Sequence, residues 1–358
     1  VKNKAQSKVK IGISIGDIAG IGLEVIIKTF SDARMFDNIT PIIYGDSAIA
    51  KFYRKGLNIN DFSFNLIKNA DEANPKRVNI IDVSSTDIKL NFGVSSNETG
   101  ALALKSLESA TADLASNKID ALVTAPIDKN TIQSKGFNFP GHTEYLTKMA
   151  NVDESLMLMI ENDLRVGVIT GHVPVKEISA NITTEKIIKK ATLLSQCLIN
   201  DFGIEKPKIA ILGLNPHAGD NGLIGDEEQN VIKPAIEKIN EMDVLCFGPY
   251  AADGFFGSGN FTNFDGILAM YHDQGLIPFK TLAYMGGVNF TAGLPIVRTS
   301  PAHGTAYDIA GKGIADESSF RQAVYSALDI YNMRKRSKEW SENPLKQKGE
   351  LELEKSED

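Results

Sequence analysis

Short continuous apolar runs alternate along the chain with longer stretches in which apolar positions recur every third or fourth residue. Buried strands alternating with amphipathic helices make an α/β protein. The run at 8–15 predicts a first strand, and a glycine turn then opens a helix from about Gly22 to Phe30. Further strands are predicted at 41–44, 62–67 and 78–83, with an amphipathic segment at 47–54 between the first two. A long helix follows at 97–117, which Ser96 or Asn97 can cap and whose Ala101, Leu102, Leu104, Leu107, Ala110 and Leu114 fall on one side. The strand at 121–125 ends at Pro126.

Beyond that proline, Pro140-Gly141-His142-Thr143-Glu144 opens a helix, so His142 and Thr143 stand at a positively polarised terminus suited to anions. Paired strands are predicted at 156–160 and 164–169, helices at 184–202, 226–242 and 317–338, and strands at 208–214, 244–247 and 266–271. From Ser341 the chain is charged, with Leu345, Leu351 and Leu353 as its large apolar residues, so 341–358 is expected to be a disordered tail.

Composition narrows the function. With 42% hydrophobic residues the chain can bury one large two-lobed core or two domains. A net charge of -7 and a pI near 5.4 argue against nucleic acid as a partner, and the basic segment 334–338 reads as a solvated helix end. Two cysteines, Cys197 and Cys246, make neither a disulfide framework nor a thiolate metal site. No apolar run approaches the ~20 residues needed to cross a bilayer, and the first ten residues lack the apolar core of a signal peptide, so a cytoplasmic location is expected.

The polar punctuation is densest from Asp265 to Asp316. An apolar strand there runs straight into His272-Asp273-Gln274-Gly275, and strand ends are where open α/β sheets keep ligands. Lys280, Asn289 and Arg298 follow, offering a cation, an amide and a bidentate anion clamp; taken singly, each also reads as a surface ion pair or turn cap. The turn Gly16-Asp17-Ile18-Ala19-Gly20-Ile21-Gly22 is a candidate anion cradle, but its spacing is not that of the dinucleotide fingerprint.

All five histidines, His142, His172, His217, His272 and His303, fall at Gly- or Pro-marked junctions or strand ends. Three of them, His172, His217 and His272, each come at or just after an apolar strand. Strand-end histidines more often satisfy loop backbone groups, but if the three strands are neighbours their ends converge on one ion.

YHDQG, GVNFTAGLPIVRTS and HGTAYDIAGKG, together with GHVP, NPHAG and the GD-x-AGIG-x-E turn, make the chain resemble the 4-hydroxythreonine-4-phosphate dehydrogenase family over roughly 11–336. HGTAYDIAGKGIAD is also similar to the adenine-binding loop of isopropylmalate and isocitrate dehydrogenases. Four positions depart from the family pattern: Ile18 and Leu23 stand where proline is usual, Gly171 where threonine is, and Asp220 where glutamate is.

The resemblance implies a two-domain α/β fold of the isocitrate/isopropylmalate dehydrogenase kind, with the active site in the interdomain cleft. Residues 1–128 plus 276–340 would form the outer, cofactor-side domain, and 129–275 the central domain with metal ligands and dimer contacts. His142, Thr143, Lys280, Asn289 and Arg298 are assigned to substrate, and His303, Gly304 and Thr305 to the cofactor, NAD or NADP. His172 and His217 are assigned to a metal completed by His272 of a second subunit in a homodimer. Imidazole ligands suit zinc most naturally, with cobalt or manganese next and magnesium less apt.

The implied reaction oxidises 4-phosphooxy-L-threonine to a 3-oxo acid that loses CO₂ to give 3-amino-2-oxopropyl phosphate, with Lys280 or Asp273 moving the proton. Threonate 4-phosphate is the nearest alternative substrate. Two other classes compete: a zinc hydrolase, which the adenine-loop-like segment argues against, and a phosphate-ligand binder without catalysis.

Overall fold

Strand β1 (Val9–Ser14) buries every residue but Lys10, as a strand covered on both faces must. The computed structural model to which it belongs describes residues 8–342 apart from 61, 85–87, 134–136, 138, 140 and 285; the expected tail falls outside them from 343 onward. The remaining strands are β2 (Ile39–Gly45), β3 (Asn65–Ile67), β4 (Asn79–Asp82), β5 (Ala121–Thr124), β6 (Leu156–Glu161), β7 (Leu164–Thr170), β8 (Ile209–Leu212), β9 (Cys246–Tyr250), β10 (Gly266–Tyr271), β11 (Val288–Ala292) and β12 (Arg298–Pro301).

One twelve-stranded sheet takes them in the order β3-β4-β2-β1-β5-β12-β11-β6-β7-β10-β8-β9. From β3 to β12 all pairs are parallel, and so are all pairs from β7 to β9. Between them, β12–β11, β11–β6 and β6–β7 are antiparallel, so the two parallel halves run in opposite directions. The molecule thus has an antiparallel seam at its centre. Strands from 1–128 and 276–340 lie contiguously on one side of the β11–β6 pairing, and those from 129–275 on the other.

Helices cover both faces. The Asn97–Ala115 helix packs on β1 and β2, and its N-cap is Ser96, whose hydroxyl and the Thr99 side chain form a reciprocal capping box. The Ser318–Glu342 helix buries Phe320, Ala323, Val324 and Ala327 and packs on β12, β5 and β11. The Thr184–Phe202 helix starts at the Thr183 cap and stops at Gly203, whose φ of 71° suits glycine. Among the described residues no helix is long and apolar enough to cross a membrane.

Two elements depart from the hydrophobic pattern. The HDQG segment starts a helix, His272–Leu282, despite Gly275 and Pro278. Gly275 lets this helix lie close on the sheet: a Cβ there would stand 3.0 Å from both Ala269 and Val166. The expected 226–242 helix begins as a π-turn, Glu228–Ile232, before the α-helix Lys233–Asn240.

Candidate active site

The seam is the floor of a cavity of about 340 Å³. Register places Ser300, Asn289 and Met159 in one row across β12, β11 and β6, so their side chains share a face. In the next row Arg298 stands beside Thr291 and donates to its hydroxyl at 3.2 Å, while its Nε donates to Thr124 Oγ1 at 3.1 Å. Arg298 is only 2% exposed, and among the described residues it pairs with no carboxylate. Burial pulls its pKa down to about 9, with Glu144 acting the other way.

Three enclosed polar atoms in this cavity have no hydrogen-bond partner among the described residues: His142 Nε2, Asn289 Oδ1 and His303 Nε2. Desolvation, then the nearby Arg298 and Lys129 cations, hold the His142 imidazole well below its usual pKa. Burial lowers His303 as well. A buried cation ringed by unsatisfied donors and acceptors is arranged for an anionic, hydroxyl-bearing ligand.

Lys280 and Thr143 also line the cavity, as do His303 and Gly304, so residues expected to bind substrate and cofactor meet at one place. Thr305 lies behind them. Its carbonyl accepts from Ile21 N at 3.0 Å, and a Cβ on Gly20 would sit 2.6 Å from that same oxygen. Tyr307 OH donates to Asp17 Oδ2 at 2.9 Å, so the glycine turn is a buttress for the 303–307 loop. Gly16, at φ 65° and facing the Pro126 carbonyl, admits no side chain.

The three strands that precede His172, His217 and His272 are neighbours, in the order β7-β10-β8, and parallel, so all three histidines leave one edge of the sheet. The His172 and His272 rings stand 5.8 Å apart, and both residues line the cavity. Metal–nitrogen bonds of about 2.1 Å bring two imidazoles on one tetrahedral ion to roughly this ring separation. A carboxylate backs one ring within hydrogen-bond reach, Asp273 Oδ1 at 2.7 Å from His272 Nδ1; Glu144 Oε1, 3.9 Å from His172 Nδ1, stands beyond it. The Asp273 carboxylate on Nδ1 would leave the His272 Nε2 free to ligate a metal.

His217 is not part of this pair. It sits on a left-handed turn in which His217, Ala218, Gly219, Asp220 and Asn221 all have positive φ, a cost of roughly 1–2 kcal/mol for each non-glycine residue. Among the described residues of one chain, no three His, Cys, Asp or Glu side chains are gathered closely enough to hold a metal.

Residues unassigned from the sequence complete the site. Glu144 places a carboxylate in the cavity, held below the usual range by His172 against an opposing desolvation. Gln274 accepts from Met270 N at 2.7 Å and donates to Gly213 O at 2.6 Å, tying the ends of β10 and β8 together. Thr124 seats Arg298. Glu144 and Gln274 stand inside the GHTE and HDQG motifs, but a motif does not name the partner that gives each its role.

The family of the pyridoxal phosphate biosynthetic protein PdxA matches residues 37–327. The 4-hydroxythreonine-4-phosphate dehydrogenase of Bacteroides thetaiotaomicron is 53% identical over 342 residues, covering 95% of this chain and 94% of the relative. A protein of Oceanobacillus iheyensis, provisionally named a D-threonate 4-phosphate dehydrogenase, is 39% identical over 324 residues, 89% of this chain and 97% of its own. Among solved structures, the 4-hydroxythreonine-4-phosphate dehydrogenase of Klebsiella pneumoniae superposes with a TM-score of 0.79 at 33% identity, covering 91% of this chain and 100% of that one. With a family match over most of its length and such identity to relatives, the chain belongs to the family of the pyridoxal phosphate biosynthetic protein PdxA, which includes the 4-hydroxythreonine-4-phosphate dehydrogenases.

Proposed function

We propose that this chain is an NAD-dependent 4-hydroxythreonine-4-phosphate dehydrogenase that requires a divalent metal and acts as a homodimer. It would oxidise 4-phosphooxy-L-threonine to a 3-oxo acid and release CO₂ to give 3-amino-2-oxopropyl phosphate. The observation that carries this reading is Arg298, a buried guanidinium at the cavity floor that bonds two threonine hydroxyls and, among the described residues, has no carboxylate within salt-bridge distance, Glu144 acting on it from farther off. A phosphate or carboxylate of the substrate would supply the missing anion.

In this reading His142, Thr143 and Lys280 hold the remaining oxygens of the phosphorylated end, with the orphaned His142 Nε2 as one of the contacts, while the orphaned Asn289 Oδ1 accepts from a substrate hydroxyl or ammonium group. His303 and Gly304 border the cofactor. Of the two residues expected to move the proton, Lys280 lines the cavity, whereas the Asp273 carboxylate is turned to His272. We therefore assign the proton to Lys280 Nζ, and to Asp273 the orientation of His272. NAD when bound accepts hydride, and a divalent ion supplies Lewis-acid polarisation of the reacting oxygen. The resemblance takes His272 from the second subunit; with His172 and His272 of one chain 5.8 Å apart, we instead propose that these two would hold that ion, with His217 completing the set across the dimer, and zinc fits three imidazoles best.

The test is NADH absorbance with CO₂ capture on purified protein, NAD and Zn²⁺ or Co²⁺, comparing 4-phosphooxy-L-threonine with threonate 4-phosphate. The reading expects turnover of the former by at least about tenfold in kcat/KM. Preference for threonate 4-phosphate would move the chain to the other branch of its relatives, and failure with both would end the reading.

A further inference from the structure

Among the described residues, Glu228 is the one buried carboxylate that faces the start of the His217 turn. It is 0% exposed, and its Oε1 accepts from the Leu214 and Asn215 amides at 2.7 Å each. Its Oε2 accepts from Asn215 Nδ2 at 2.9 Å, and the same amide group reaches Glu227 Oε2 at 2.6 Å. These bonds fix the two residues that lead into Pro216 and His217. The turn itself is shaped around the same carboxylate: a Cβ on Gly219 would lie 2.6 Å from Glu228 Oε2, and one on Gly213 would lie 3.1 Å from Oε1. The π-turn that begins at Glu228 widens the helix where the side chain must reach back.

A run of residues in the left-handed region does not hold itself, because each L-residue in it crowds its own carbonyl. It persists only where surrounding contacts over-determine it. At the ends of the turn the bonds are Ala218 N to Asn215 O at 3.1 Å, Leu223 N to Asp220 O at 3.2 Å and Ile224 N to Gly219 O at 3.1 Å. The first depends on Asn215, which Glu228 holds by both backbone and side chain.

We propose that Glu228 is a positioning residue that clamps the left-handed turn 217–221 and thereby sets the direction in which His217 is presented as a ligand. It touches neither substrate nor metal and acts through His217. This rests on the proposed metal role of His217, and the experiment separates the two.

Co²⁺ affinity is measured on the metal-free, full-length protein by competition with a chromogenic chelator, and the visible Co²⁺ spectrum is recorded. The proteins compared are wild type, Glu228→Ala, Glu228→Gln, His217→Ala and the Glu228→Ala/His217→Ala double variant, with thermal melting and hydrogen exchange of the 213–225 peptide alongside. Glu228→Ala should weaken Co²⁺ by about 10–100-fold, alter the spectrum and speed exchange in that peptide. The double variant should bind no more weakly than His217→Ala. Glu228→Gln keeps an acceptor for the Leu214 and Asn215 amides but sets its own NH2 against Asn215 Nδ2, so it should fall between wild type and Glu228→Ala, and it decides the matter if the alanine variant does not fold.

Unchanged affinity in Glu228→Ala beside a loss in His217→Ala overturns the positioning role and leaves the metal site standing. Fully additive losses, or a folded Glu228→Gln as weak as His217→Ala, overturn it too. If His217→Ala binds Co²⁺ like wild type, the metal role of His217 falls and takes the inference with it.

Discussion

Arg298 and Arg334 are brought together by one stretch of chain and are used in opposite ways. Arg334, on the last helix, donates to both oxygens of Asp201, at 2.6 and 3.2 Å, and to the Leu294 and Ile296 carbonyls at 2.9 and 3.1 Å. It thereby pins the last helix to the Thr184–Phe202 helix and to the turn that leads into β12. Arg298, the first residue of β12, is more deeply buried and among the described residues hydrogen-bonds two threonine hydroxyls and no carboxylate. A guanidinium whose charge is already matched serves the fold. One left without an anion costs the fold and marks the place where a ligand brings the missing charge.

Arg298→Leu removes the unmatched cation, so kcat/KM should fall by about 10²–10³-fold or more while the melting temperature holds or rises. Steady-state NADH formation and calorimetry check both halves. Activity within tenfold of wild type would mean that the substrate anion is held elsewhere.

Arg334→Leu should give the converse. Asp201 is 4% exposed in its side chain and would be left without its partner, a loss of about 3–5 kcal/mol in urea unfolding. Protein that remains folded should keep kcat/KM within a few-fold. Equal effects of the two substitutions on stability would erase the distinction between a structural and a ligand-binding arginine.

Much of this contrast was legible in the sequence, but only one side of it. Strand-length apolar runs predicted β1, β2, β5 and β10, and the pair 156–160 and 164–169 is the antiparallel β6–β7 hairpin. Arg298 stands out as an arginine directly after a short apolar run, and His142 as a histidine at the start of a helix opened by Pro140-Gly141. The His272–Leu282 helix did not, because Gly275 and Pro278 lower local propensity while close packing on Ala269 and Val166 decides the outcome. The opposed half-sheets were equally hidden, since the seam depends on β11 and β12 pairing with strands far away in the chain. Glu144, Gln274 and Glu228 draw their roles from partners; the Gln274 contact with Gly213 spans 61 positions. The left-handed turn at His217 has four non-glycine residues in a conformation that no periodicity signals.

Desolvation, with Arg298 and Lys129 behind it, keeps folded His142 neutral well below the ordinary value of 6.5. As pH falls through 6.5, the unfolded chain therefore takes up a proton at this position that the folded chain refuses. Stability from this group is complete above 6.5 and declines as pH drops, with a slope of at most about 1.4 kcal/mol per pH unit. His303, lowered by burial, adds to the slope with the same sign, so His142→Gln should flatten the acid limb without abolishing it. Arg298→Leu should flatten it too, because one of the two cations opposing protonation of His142 has gone. Denaturant unfolding between about pH 5.5 and pH 7.5 measures all three proteins. If wild type and His142→Gln run parallel, His142 titrates alike in folded and unfolded chains, and the cationic, water-poor floor assigned to this cavity is wrong.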